Sequence, residues 1–261
     1  MDKESLVSKG TAVVVGVGAE TGLGAALARR FAYEGMRVVI SGRTEKRLRA
    51  TAAGINDAGG QVLIKVTDAT REKDVVALFD EADVEADVEL VAYNVGNNVA
   101  APALDTTSEL FEGLWRQNAL GGFLVGREAA RRLAPHQKGT ILFTGATASL
   151  RARPPFIAFA SAKAALRAVA QGLAREFAPK GLHIAHVVID GAIQGEYAAT
   201  NFADYSLQGG GRLACGQRYR RRLLGAALSV PKRLDPRTRS EAIQRAILNK
   251  LPTHTDGMRR A

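Results

Sequence analysis

Cysteine is almost absent. Cys215 is the single one among 261 residues, which excludes an internal disulfide framework and a cysteine zinc cluster. Long apolar runs are missing too: no stretch approaches the roughly 20 residues needed to cross a bilayer. The opening residues, MDKESLVSKG, lack the apolar core of a signal peptide. These absences predict a soluble, cytoplasmic protein without membrane contact. With only 8 prolines, and 27 glycines in no fixed period, collagen and low-complexity readings fall away. What remains is ordinary for a folded chain, 46% hydrophobic and 24% charged, and long enough to bury the core of one large α/β domain.

Acidic residues are scarce in one region. Residues 206–261 carry eleven Arg and two Lys against Asp235, Glu241 and Asp256, so the whole formal charge of +10 resides there and residues 1–205 are neutral. A basic balance raises the question of nucleic acid, but it attaches to a tail and not to the folded part.

Along residues 11–189, short β-branched runs alternate with helical patterns. The runs are 11–17, 37–41, 61–66, 88–95, 140–145 and 183–189, with helical periodicity at about 22–34, 44–58, 71–86, 108–134 and 155–178. Several runs are almost wholly apolar, as expected of strands buried on both faces. This alternation predicts βαβ crossovers and a single-domain, doubly wound parallel sheet, a Rossmann fold with helices on both faces. The tail shows one more helical pattern near 238–250 and no seventh strand. His183 and His186, three apart on a strand, point to opposite faces, so no metal site is expected.

Ligands of such sheets bind beyond the carboxyl ends of the strands. The first run leads into Gly16-Val17-Gly18-Ala19-Glu20-Thr21-Gly22-Leu23-Gly24 and then directly into a helix. The common GxGxxG spacing fails, since its third glycine would fall on Thr21. Gly-x-x-x-Gly-x-Gly fits instead, at Gly18, Gly22 and Gly24. Further motifs follow in order: Asp68-Ala69 in VTDAT, Tyr93-Asn94-Val95-Gly96, and Asn118 in RQNALGGF. In this ordered set residues 8–200 resemble the short-chain dehydrogenase/reductase family. The resemblance implies a cofactor cradle of Gly18, Thr21, Gly22, Leu23 and Gly24. It also implies Asp68 and Ala69 at the adenine, Asn94 and Gly96 after the fourth strand, and Gly191 and Ile193 after the sixth. It divides the chain into an NAD(P)-binding domain, 1–205, and a basic, divergent C-terminal segment, 206–261, at the lid position. Homodimers or homotetramers are the family habit.

The second strand ends Ser41-Gly42-Arg43, about twenty residues past the glycines. An acid there would favour NAD, whereas an Arg accommodates a 2′-phosphate. Ser41 and Arg43 are therefore expected to hold NADP(H) in preference to NAD(H). Glu20 in the glycine loop argues the other way, because a carboxylate repels a phosphate.

The family moves protons with an Asn, a Ser, a Tyr and a Lys four residues after the Tyr, and the resemblance implies that this Lys, here Lys163, also binds the cofactor at the nicotinamide ribose. By resemblance Asn118 and Lys163 match, while Phe159 stands at the Tyr position and Ala146 at the Ser position. Phe159 and Lys163 still lie one helical turn apart. Thr147, beside Ala146, is the candidate substitute hydroxyl, and Ser161 a second; their structural roles are a strand-end cap and helix packing. After the sixth strand Asp190 replaces the family Pro, and Gly195 stands where a Thr is usual.

Two readings stay open. The first is an NADP(H)-dependent oxidoreductase acting on the carbonyl/alcohol pair of a small molecule, with an atypical proton relay. The second is a catalytically silent NAD(P)-binding sensor or scaffold. The tail reads as a basic lid, as an arm for an anionic partner, or as a segment translated out of frame. Nucleic-acid binding is disfavoured, because Arg218–Arg222 interleaves no aromatic except Tyr219.

Overall fold

The computed structural model describes residues 10–190, together with the backbone of Ala192–Ile193 and Leu213–Ala214. Six strands form one parallel sheet: β1 (Thr11–Val15), β2 (Arg37–Gly42), β3 (Val62–Val66), β4 (Val88–Tyr93), β5 (Thr140–Ala146) and β6 (His183–Ile189). Their order is β3-β2-β1-β4-β5-β6, and every neighbouring pair is parallel. The order reverses between β1 and β4, which opens a crevice at the carboxyl ends of those two strands.

Alternation along each strand divides the core in two. Val13, Val15, Val91, Tyr93, Ile141 and Phe143 face α3 (Glu72–Ala82), α5 (Gly121–Leu133) and α6 (Ile157–Phe177). Ala12, Val14, Val38, Ile40, Leu90 and Ala92 face α1 (Leu23–Tyr33) and α2 (Glu45–Asp57). Both faces of the central strands are apolar because both are covered. Among the described residues, no helix is long and apolar enough to cross a membrane.

The doubly wound parallel sheet is the architecture expected, and two details differ from expectation. The helical stretch expected over 108–134 divides into α4 (Ser108–Trp115), a wider π-type turn over Arg116–Leu120, and α5. One extra residue in such a turn leaves hydrophobic periodicity nearly intact, so the sequence reads as one helix. A short strand also occurs where none was expected: β8 (Leu213–Ala214) pairs in parallel with β7 (Ala192–Ile193), apart from the main sheet. Two residues are too few for any alternation to show. The helical pattern at 238–250 and the boundary at 205/206 lie outside the described residues.

The tightest constraint on the crevice is Gly16, at φ +97°, just past β1. A Cβ there would stand 2.6 Å from Val95 N and 2.7 Å from Asn94 C, both backbone atoms that cannot yield. Left-handed strain and a backbone clash act together. Gly16→Ala is expected to cost about 2–4 kcal/mol, read as a lower urea midpoint at unchanged m value. An unchanged midpoint would contradict the close meeting of these two loops.

Candidate functional site

Three loops meet at the carboxyl edge. In the first, the N–H groups of Gly16 and Val17 both donate to Ser41 O at 2.9 Å, and Gly22 N–H donates to Ala19 O at 2.8 Å. The helix α1 then begins with extended Gly22 as its N-cap, without a side-chain cap and without an acid in its first turn. Its leading N–H groups and the positive end of its dipole are thus left for an anion. A Cβ on Gly18 would meet nothing within 4 Å, so this side of the loop is open. On Gly24, by contrast, a Cβ would stand 2.6 Å from Gly16 O, so glycine is needed for α1 to approach the loop. Thr21 and Glu20 are exposed, and Leu23 is buried.

The second loop set follows β2 and β3. Arg43 is exposed and Ser41 is fully buried, its Oγ without a hydrogen-bond partner among the described groups. Ser41 lies inside the sheet, whereas Arg43 stands one residue beyond the end of β2 in solvent. Asp68 is half-buried and accepts from Thr70 N–H at 3.0 Å and Thr70 Oγ1–H at 2.8 Å. Burial pushes its carboxyl up, but these two bonds and the nearby charges of Arg71 and Arg43 hold it below the usual range. Ala69 beside it is buried.

The third set surrounds Lys163. This side chain is 3% exposed, and its Nζ donates to Thr144 O at 2.9 Å and to Val95 O at 3.4 Å. The Phe159 ring centroid lies 5.8 Å from the same Nζ, a cation–π contact. Burial lowers the ammonium pKa to about 8. Asn118, fully buried, lies in the π-type turn and donates its Nδ2–H to Leu114 O at 2.9 Å, while its Oδ1 has no partner among the described groups. The Tyr93 hydroxyl donates to Gln117 O within that same turn, satisfying a carbonyl that the wider turn releases. Gly96 is exposed between the two groups: a Cβ there would stand 3.0 Å from Lys163 Nζ and 3.6 Å from Asn118 Oδ1.

Asn94 ties the sets together. Its Nδ2–H donates to Gly16 O at 3.1 Å, and its Oδ1 accepts from Thr144 Oγ1–H at 3.0 Å. Glycine loop, fourth strand and lysine pocket therefore form one connected assembly.

A family model described as short chain dehydrogenase matches residues 12–205. The chain belongs to that family. Glucose 1-dehydrogenase of Gluconobacter oxydans is 32% identical over 183 residues, 69% of this chain and 68% of that one. The 3β-hydroxysteroid dehydrogenase 1 of Eggerthella lenta is 33% identical over 199 residues, 75% of this chain and 76% of that one. The solved structure of a short-chain dehydrogenase from Rhodopseudomonas palustris is 42% identical with a TM-score of 0.66, covering 76% of this chain and 91% of that one. The protein is thus an oxidoreductase of the short-chain dehydrogenase type, in a family that binds NAD(P).

In this short-chain dehydrogenase, Gly18, Gly22, Gly24, Arg43, Asp68, Gly96, Asn118, Phe159 and Lys163 all lie on the carboxyl-edge loops or the helices that follow them. Asn94 is there as a brace, its amide spent on protein groups. The Thr147 Oγ1–H donates to Asp190 Oδ1 at 2.6 Å and lies 3.3 Å from Ile189 O, so its proton is committed to the protein. Ser161 Oγ–H likewise donates back to Ile157 O at 2.9 Å. Gly191 lies outside the described residues, and Ile193 is described in its backbone alone. Sequence reasoning missed Gly16, which the failed GxGxxG spacing already contained. It also missed the carbonyls of Thr144 and Val95, for which no sequence signal exists.

It missed a structural role for His186 as well. The imidazole is 8% exposed and occupies the space that a side chain on Gly145 would need. Burial first, then the charges of Lys163 and Arg167, lower its pKa to about 4. The native ring stays neutral while the unfolded ring takes a proton below about pH 6.5. Its contribution is therefore complete above pH 6.5 and is lost as pH falls toward 4, by roughly 3 kcal/mol at 1.36 kcal/mol per unit. His186→Asn is expected to flatten the fall of unfolding free energy between pH 6.5 and 4.5. Equal slopes in variant and wild type would refute this account.

Proposed function

We propose that this protein is an NADP(H)-dependent oxidoreductase that interconverts the carbonyl and alcohol forms of a small molecule without a phenolic proton donor. The observation that carries it is a buried Lys163 beside Asn118 and Gly96, linked through Thr144 and Asn94 to an open glycine loop. The cradle suits a dinucleotide. Open space at Gly18 and the uncapped start of α1 fit a pyrophosphate, and Asp68 with Ala69 fits the adenine side. When bound, the nicotinamide would donate or accept the hydride.

Arg43 supports the phosphorylated cofactor. It is exposed at the end of β2 next to Gly42, so no acid stands there, and among the described groups its guanidinium has no ion-pair partner. The relatives, a glucose dehydrogenase and a hydroxysteroid dehydrogenase, support a hydroxyl-bearing small molecule as substrate.

Phe159 takes the position of the family Tyr and Ala146 that of the family Ser. Asn118 and the Lys163 ammonium remain to orient the substrate oxygen and to exchange protons near it. A positioned acid contributes about 10²–10⁴-fold to such a step, so turnover is expected at the slow end for this chemistry.

Fluorescence titration with NADPH and NADH tests the cofactor site. Wild type is expected to bind NADPH at least ten times more tightly than NADH. Arg43→Ala is expected to weaken NADPH roughly 10- to 100-fold, the equivalent of one charge-assisted contact, with NADH little changed. Equal binding of both would refute the preference, and binding of neither would refute the oxidoreductase reading. NADPH binding without turnover of any alcohol or carbonyl would favour a silent sensor, the reading that the pairing of Phe159 with Ala146 supports.

A further inference from the structure

Positive charge on the described surface is commonly matched by an acid: Arg30, Arg49, Lys65, Arg127, Arg132 and Lys138 each meet a carboxylate. Arg151 and Arg153 do not. Both are exposed, and among the described residues neither side chain has an ion pair or a hydrogen bond. Two residues apart, they lie on the loop 147–156 that joins β5 to α6.

That loop is bound to the site at both ends. It begins where β5 stops, two residues after Thr144, whose carbonyl accepts from Lys163 Nζ. It enters α6 at Ile157, two residues before Phe159, and a bridge between Ala101 and Phe156 joins it to the turn after β4. It is also pinned along its length. The N–H groups of Leu150 and Arg151 donate to Thr147 O at 2.9 and 3.0 Å, Phe156 N–H to Arg153 O at 2.9 Å, and Ala101 N–H to Pro155 O at 2.8 Å. Arg167 of α6 donates its Nε–H to Ser149 O at 3.2 Å, and Pro154 and Pro155 fix two φ angles between Arg153 and the helix. The loop is therefore shaped before any ligand arrives, and binding has only the two side chains to order.

Charge around this segment is one-sided. Residues 143–163 contain Arg151, Arg153 and Lys163 and no acid, and residues 94–101 contain no charge at all. At the end of β6, Asp190 accepts from Thr147 Oγ1–H. Among the described residues, the carboxyl ends of β4, β5 and β6 thus carry an excess of positive charge. Such an excess draws anions toward a crevice, and a guanidinium fork matches the oxygens of a carboxylate or phosphate.

We propose that Arg151 and Arg153 bind an anionic oxygen group of the substrate, a carboxylate or a phosphate, so that the carbonyl or alcohol compound handled here is an acid. This rests on the oxidoreductase reading above. In that reading the phosphates of the dinucleotide are met elsewhere, by the start of α1 and by Arg43 beyond β2.

The experiment uses the full chain and a variant carrying Arg151→Gln with Arg153→Gln. Three aldehydes with the same reacting group serve as probes with NADPH: 4-carboxybenzaldehyde, 4-formylphenyl phosphate and the neutral methyl 4-formylbenzoate. Wild type is expected to favour an anionic probe by about tenfold in kcat/KM, expressed mainly in KM, and the variant to lose that preference. The two anionic probes tell carboxylate from phosphate. Independently of turnover, benzoate, phenyl phosphate and uncharged benzamide are titrated into NADPH-loaded, arginine-labelled protein followed by NMR of the Nε–H groups. The Arg151 and Arg153 resonances, assigned by their loss in single variants, are expected to shift saturably with an anion and not with benzamide. Exposed Arg175, near the far end of α6, is the control. These shifts decide the question where no probe is turned over. Shifts no larger at Arg151 and Arg153 than at Arg175, or equal use of the ester by wild type, overturn the proposal alone. So does a loss of NADPH affinity in the variant, which would give the pair to the cofactor's phosphates. Failure of wild type to bind NADPH overturns the oxidoreductase reading and the proposal with it.

Discussion

The site depends on how closely the backbone leaving β1 approaches the turn leaving β4. Gly16 lies beneath Asn94 and Val95 with no room for a Cβ, gives its carbonyl to Asn94 Nδ2 and its N–H to Ser41 O, and lies under Gly24 of α1. From there a chain of hydrogen bonds runs without a break: Asn94 to Thr144 by side chains, then Thr144 O to Lys163 Nζ. The start of α1, which would meet phosphate, and the ammonium, which would meet substrate, are thereby held in one frame. Short bonds through buried strand ends transmit position well, because neither end can shift without opening the core.

The sequence shows the scaffold plainly because burial on two faces leaves a strong trace. Val13 and Val14 must both be apolar when helices cover both sides, and the helices between show the complementary periodicity. Glycines 18, 22 and 24 marked the loop for the same kind of reason, since their spacing reflects what the backbone must do. Less legible was anything decided by a single side-chain direction. Ser41 and Arg43 read as a pair, but Ser41 is buried within β2 and Arg43, past the strand end, is exposed. Thr147 read as the candidate substitute hydroxyl or a strand-end cap, and a carboxylate 43 positions away in sequence engages it.

The π-type turn lay beyond reach for another reason. Its cause is distributed: Tyr93 on β4 supplies the hydroxyl that donates to Gln117 O, and the missing side chain of Gly121 makes room for the Tyr93 hydroxyl. No local window contains both halves. Asn118 was singled out by motif, yet no local window shows that its buried Oδ1 lacks a partner among the described groups.

The polar groups around Lys163 bear on whether the site is in use. Burying an ammonium without an acidic partner is unfavourable, and an apolar side chain of similar length at that place would commonly be neutral or stabilising. The two carbonyls and the Phe159 face offset part of the desolvation, the ring by about 0.5–2 kcal/mol. They leave Asn118 Oδ1 unpaired nearby, a further cost of roughly 1–3 kcal/mol if nothing binds it. Both groups lie beside the exposed Gly96, where the polar atoms of a bound ligand would offset these costs.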